Sequence, residues 1–260
     1  PHPSSRLSVF SVFVAATQRE LIKGKPMTRL NRFSRLFGHA LLALGLGMLA
    51  LPATAATMVV AATKTPGGFD GDALKPNTQN AVVQVYEGLT KYGYKKNQKT
   101  GRMEIDPGRV LPHLAKQWSV SPDGKVYTIE LRQGVKSPFG NELTSVDVVW
   151  GWEKSLAQKR TGAFIARVAG VVKVEVMDKY TVEFTLAAPS GIFLSALTLY
   201  TPSIYDSTEV KRHVTPDDPW ALKWIDQNTA GFGAYQLQSL KSGEEAVFVA
   251  NPNYFAGKPF

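Results

Sequence analysis

Few residues in this chain have the types and spacing that chemistry requires. His113 and His213 are the only imidazoles in residues 57–260. Neither can join a thiolate metal site, because the chain has no cysteine. His113, between Pro112 and Leu114, reads as a surface or packing residue, and so does His213 beside Lys211 and Arg212. The carboxylate pair Asp217-Asp218 precedes Pro219-Trp220 and reads as a helix-cap region rather than acid–base machinery. No G-x-S-x-G, H-E-x-x-H or P-loop pattern occurs. We therefore expect no catalytic residue, no cofactor and no metal site. Leu74, Lys75 and Asn77 lie in a loop before the first helix. Trp118, Tyr127, Trp150 and Phe184 are expected in the core, and Trp152, off its helix's apolar face, at the surface.

The elements that would position these residues follow from periodicity. Residues 57–63 read as a short buried strand. A helix is expected over 77–89, with Asn77 or Thr78 as its cap and Gly88 near its end. Residues 91–108 read as a polar, turn-rich stretch, with the lysines of 95–99 in a solvated loop. Ser121-Pro122-Asp123-Gly124 has the composition of a tight turn, with proline presetting one position and Asp and Gly tolerating those that follow. Beyond it, 126–131 alternates. The same period-2 pattern in 172–176 and 180–186, joined by Met177-Asp178-Lys179, is the strongest hairpin signal in the chain. Thr144, with Asp147 three residues on, is a weaker relative of the capping box and opens a helix containing Val146, Val149, Trp150 and Ala157. Residues 162–165 read as a turn, 192–199 as a helix ended by Pro202, and 234–250 as a hairpin turning at Ser242-Gly243. Strands and helices mix without strict alternation, which predicts a mixed α/β (α+β) build.

Residues 27–56 have the three parts of a secretory signal: Arg29, Arg32 and Arg35, an apolar run over 40–51, and the small residues of 53–56. The run is shorter than the roughly 20 residues of a membrane-spanning helix. Cleavage after Ala55 or Ala56 is expected, with residues 1–26 read as translated upstream sequence outside the native protein. Residues 1–56 are expected to pack against nothing specific. The formal charge of +9 is inflated by this stretch; residues 57–260 carry only +3. No nucleic-acid partner follows from that balance. Without cysteine, a secreted domain must rest on an ordinary apolar core, and no lipid anchor can attach at the cleavage site.

Several stretches in order resemble one family. They are Tyr86-Glu87-Gly88-Leu89; the segment 112–118 with its following Ser-Pro-Asp-Gly-Lys; Leu131-Arg132-Gln133-Gly134-Val135-Lys136; Leu143-Thr144-Ser145-Val146-Asp147-Val148; Gly231-Phe232-Gly233-Ala234-Tyr235; and Asn251-Pro252-Asn253-Tyr254-Phe255. Together they are similar to the periplasmic solute-binding proteins of peptide- and nickel-type ABC importers. Residues 137–141 depart from the family's pattern after Val-Lys, and Phe232 and Ala234 replace its commoner Thr and Pro. The resemblance implies a first lobe over 57–89 and 189–260, an accessory subdomain over 90–188, and a second ligand-gripping lobe after the position where this sequence stops. It implies an extracytoplasmic, monomeric receptor that hands a di- or oligopeptide to the membrane permease of an ABC importer. It also implies a solute cleft lined by aromatic side chains and a few polar groups, with Leu74, Lys75, Asn77, Phe164 and Phe232 as the candidate lining. The 260 residues alone are expected to bind peptide weakly, because half a cleft keeps the entropic cost of capture and loses contacts. The alternatives are a secreted hydrolase with its nucleophile in the part beyond, or a receptor for nickel, opine or sugar ligands.

Overall fold

The computed structural model describes residues 8–13, 57–73 and 75–259. The signal-like stretch of 27–56 lies outside the described residues. Among those described, no helix is long and apolar enough to cross a membrane.

The best-organised region is a four-stranded antiparallel sheet in the order β5-β6-β8-β7, built from β5 (Ala115–Val120), β6 (Val126–Leu131), β7 (Val171–Asp178) and β8 (Thr181–Leu186). The expected alternation is present: Tyr127, Ile129 and Leu131 are buried on β6, and Val182, Phe184 and Leu186 on β8. The Ser121–Gly124 turn closes through Gly124 N–H donating to Ser121 O at 2.9 Å, and Gly124 takes φ +69°, where glycine carries no Cβ penalty.

Helix α2 (Ser145–Gln158) covers this sheet, and α3 (Thr161–Ala169) follows it. Asp147 closes the start of α2 as the spacing predicts: its Oδ2 accepts the Thr144 N–H at 2.7 Å and the Thr144 hydroxyl at 2.9 Å. Trp152 lies not at the surface but at 3 % exposure, edge-on to Phe184. Helix α2 is buried on two sides, with Trp152 in one apolar cluster and Trp150 in the other, so a single amphipathic stripe misplaces it. Helix α3 occupies the expected turn; Gly162 permits it because a Cβ there would collide with Ser155 Oγ.

The stretch read as a loop is a hairpin, β3 (Thr90–Lys96) with β4 (Met103–Pro112), whose register shifts between Tyr92 and Gly93. That irregularity hides the alternation on which strand reading depends. The helix expected over 77–89 is only α1 (Thr78–Val82). The carbonyls of Gln84 and Val85 instead accept the N–H groups of Tyr235 and Gly233 at 3.1 and 2.9 Å, which ends the intrahelical ladder. Helix α4 is likewise short (Phe193–Ala196). Helices α5 (Ser207–Val210) and α6 (Leu222–Ile225) precede the expected final hairpin, β9 (Tyr235–Lys241) with β10 (Glu245–Ala250).

Strand β2 (Thr57–Ala62) pairs antiparallel with β1 (Ser8–Phe13), against the expectation that the first 56 residues pack against nothing specific. An open strand edge is a template for pairing. Ser-Val-Phe-Ser-Val-Phe, rich in β-branched and aromatic residues, satisfies it.

Two apolar clusters hold the molecule together. The first joins Ile129, Leu131, Trp152, Val182 and Phe184 to Phe193, Leu197, Ile204 and Phe232, so the four-stranded sheet shares its core with residues beyond 188. The second gathers Phe69, Val85, Tyr86, Trp150, Tyr205, Ile225 and Phe248. Each such buried side chain contributes about 1.5–3 kcal/mol relative to exposure.

Candidate functional site

The loop after β2 is fixed by a buried ionic network. Lys154, on α2 and fully buried, donates from Nζ to Asp70 Oδ1 at 2.8 Å, Asp72 Oδ2 at 3.3 Å and Tyr205 OH at 3.3 Å. Arg160 reaches Asp70 Oδ2 at 2.8 Å, and the Tyr205 hydroxyl donates to Asp70 Oδ1 at 2.9 Å. Asp70 and Asp72 are each 1 % exposed. Burial pushes the Asp70 carboxyl up, but the charge and hydrogen bond of Lys154, with the Asp72 N–H and the Tyr205 hydroxyl, hold it below the usual range. Asp72 is pushed up to about 6 by burial, which outweighs Lys154, with the neighbouring Asp70 charge adding to the rise. Two carboxylates thus share one buried ammonium, and Asp70, which also has Arg160, keeps its charge better.

This network carries the loop's exposed end. Gly67 N–H donates to Pro76 O at 3.0 Å, and Thr78 Oγ1 to Gly68 O at 2.9 Å, so the loop doubles back on itself. Lys75 then meets Asp226 at 2.5 Å, both partly exposed. Asn77 stands at the start of α1 with φ 58°, a left-handed conformation that asparagine tolerates better than most residues. Leu74 lies outside the described residues. The network also holds α3 close by: Arg160 precedes it, and Thr161 N–H donates to Asp72 O at 3.4 Å. Phe164, one turn on, is 53 % exposed with the Arg167 guanidinium 5.4 Å from its ring centroid. Lys75, Asn77 and Phe164 therefore sit on segments tied to one anchor. Phe232 does not join them: it is 1 % exposed and packs in the first apolar cluster.

A second constellation surrounds Glu87. His113 Nε2 lies 2.9 Å from Glu87 Oε2, with both side chains 14 % exposed, and the Tyr254 hydroxyl donates to Glu87 Oε1 at 2.6 Å. Burial, then the bond to Glu87, raises the Tyr254 phenol above its usual range and keeps it a donor. The His113 ring lies 5.4 Å from Phe255, which also receives the Arg132 guanidinium at 5.9 Å. A hollow of about 260 Å³ opens here, with Glu87, His113, Thr90, Lys91 and Tyr200 among its lining. Reading His113 as packing alone misses this group. Its members, Glu87, His113 and Tyr254, come from three distant segments, and no local pattern connects them. His213 also has specific partners, Glu209 at 3.2 Å and the face of Trp224 at 4.1 Å. Asp218 caps α6 as expected, accepting Leu222 N–H at 2.8 Å and Lys223 N–H at 2.9 Å. Among the described residues, no cluster of three or more His, Asp or Glu side chains could hold a metal ion.

Residues 109–260 match the model for the middle part of bacterial extracellular solute-binding proteins, family 5. The chain is 30% identical over 195 residues to the probable D,D-dipeptide-binding periplasmic protein DdpA of Escherichia coli K12, covering 73% of this chain and 36% of that protein. It is 31% identical over 234 residues to the probable di/tripeptide-binding protein 5 of Pseudomonas aeruginosa UCBPP-PA14, covering 82% of this chain and 41% of the relative. Its fold is similar to NikA from Brucella suis, solved in complex with Fe(III)-EDTA, at TM-score 0.59 and 27% identity, over 75% of this chain and 36% of that one. The chain thus spans about two-fifths of the length of the curated relatives it matches.

Proposed function

The chain belongs to the bacterial extracellular solute-binding proteins of family 5, and on that premise we propose that it forms part of a periplasmic receptor that delivers a di- or oligopeptide to an ABC importer. The supporting observation is the family match across 109–260, with relatives whose names specify peptides. The arrangement suits binding rather than turnover. The buried charges of the loop network, Lys154, Asp70 and Asp72, are paired with one another, and its candidates, the partly exposed Lys75 and Asn77 and the exposed Phe164, are a cation, an amide and an aromatic ring. These are groups that orient a solute without transforming it. The receptor would work by closing around its ligand, with affinity and signalling to the permease sharing one motion.

A thermal-shift titration of the gene's natural product against di- and tripeptides, nickel complexes and opines tests this. A peptide at a hundred times its Kd adds about 2.7 kcal/mol, a rise of a few degrees for a chain of the relatives' length. A rise with metal complexes alone would replace peptide by chelate as the cargo. Hydrolysis of added peptides would sink the receptor reading in favour of an enzyme.

A further inference from the structure

The β3–β4 hairpin belongs to neither apolar cluster along most of its length, and its distal half projects charged and apolar side chains together. We propose that this distal half, centred on Tyr94, Met103 and Ile105 with Lys96, Lys99 and Arg102 around them, is a docking surface for an anionic phospholipid bilayer. The register pairs Tyr94 with Ile105 and Lys96 with Met103, so alternation puts these four side chains on one face. The three apolar ones are exposed at 61 %, 64 % and 56 %. Residues 90–112 hold six Lys or Arg against two acids, a net +4 where the whole of 57–260 carries +3. The remainder is therefore close to neutral, and the hairpin concentrates the positive charge.

The two acids are already engaged. Asp106 lies 3.7 Å from Lys95, and Glu104 accepts the Asn97 amide at 2.8 Å. Among the described residues no carboxylate pairs with Lys96, Lys99 or Arg102. The tip that carries them is pre-formed: Asn97 Oδ1 accepts the N–H groups of Lys99 and Thr100 at 2.9 and 3.1 Å, and Gly101 N–H donates to Asn97 O at 2.8 Å. Three apolar side chains fall well short of the roughly 800 Å² per partner that a stable protein interface buries. A lipid headgroup layer demands less, because shallow apolar insertion and attraction of basic residues to anionic lipid act together. Each Lys or Arg near such a surface strengthens partitioning about fivefold.

The absence of cysteine makes the test local. Met103→Cys in the full chain, labelled with a polarity-sensitive fluorophore, should shift to the blue with phosphatidylglycerol vesicles and stay unchanged with phosphatidylcholine vesicles. The same label at Val172→Cys, on the exposed edge strand β7, should not respond. Adding Lys96→Glu, Lys99→Glu and Arg102→Glu should weaken the response about a hundredfold. Residues 1–56, themselves basic and apolar, are common to parent and variant, whereas the label reads the hairpin. An unchanged label at 103, an equal response to neutral vesicles, or indifference to the charge reversals would overturn the proposal. A response to soluble poly-glutamate but not to vesicles would overturn it in favour of an acidic protein partner. No solute is involved, so failure of peptide binding would leave this result standing, and the reverse also holds.

Discussion

The four-stranded sheet and the loop after β2 are both held rigid, but by opposite means. Strands β6 and β8 lie in one antiparallel ladder, and their stability comes from apolar faces that their own alternation dictates, Tyr127, Ile129 and Leu131 against Val182, Phe184 and Leu186. The loop over residues 66–77 has no ladder. It is held by Asp70 and Asp72 gripping Lys154, 84 and 82 positions away, with Arg160 and Tyr205 completing the grip. Hydrophobic burial is graded and forgiving, whereas a buried ion pair is worth little net until one partner is removed, when it becomes very costly. The segment that presents Lys75 and Asn77 therefore leans on Lys154 of α2, with Phe69 as its one apolar anchor in the second cluster.

The largest expected effect breaks this contrast directly. Lys154→Met keeps the length and apolar stem but leaves two carboxylates buried without their ammonium. It should cost about 3–5 kcal/mol at pH 7 by denaturant unfolding. A loss below about 1 kcal/mol would mean that Arg160 and entering water satisfy the pair.

A sharper version uses pH. Asp72, raised to about 6 from an ordinary 3.8, binds its proton more tightly folded than unfolded. Its contribution to stability is therefore fully present below about pH 4 and is lost as pH rises through 6. Asp72→Asn removes that titration. Relative to the parent, the variant should gain stability between pH 4 and 7, on the order of 2–3 kcal/mol, read from paired denaturant curves. No pH dependence in the difference would contradict the assignment of the mobile proton to Asp72.

A smaller effect is expected at the cap of α2. Asp147 accepts from Thr144 through one oxygen and from Ser207 N–H and hydroxyl, at 2.8 and 2.7 Å, through the other. Asp147→Ala should cost about 2 kcal/mol, with Asp147→Asn recovering part of it.

The same contrast explains what the sequence reveals. The capping box at Thr144, the Ser121–Gly124 turn and the β7–β8 hairpin are legible because each is encoded within one short contiguous stretch. The β3–β4 hairpin is not, because its register shift breaks the period. Nor is the end of α1, because Gly233 and Tyr235, about 150 residues away, claim the carbonyls of Val85 and Gln84 that would continue it. Trp152 escapes a reading based on one apolar stripe because its helix faces two cores. The Lys154 network and the Glu87–His113–Tyr254 group are assembled from distant segments whose individual residues look ordinary. Of the expected lining, Lys75, Asn77 and Phe164 share one anchor, while Phe232 serves the core.

Amide hydrogen exchange of the gene's natural product, with and without a saturating peptide found by thermal shift, tests the central claim most directly. Residues 66–77 and the first turn of α3 should exchange more slowly with ligand, while β5, β6, β7 and β8 stay unchanged. A footprint confined to other segments, with these two unaffected, would contradict the placement of the site on the Lys154-anchored loop.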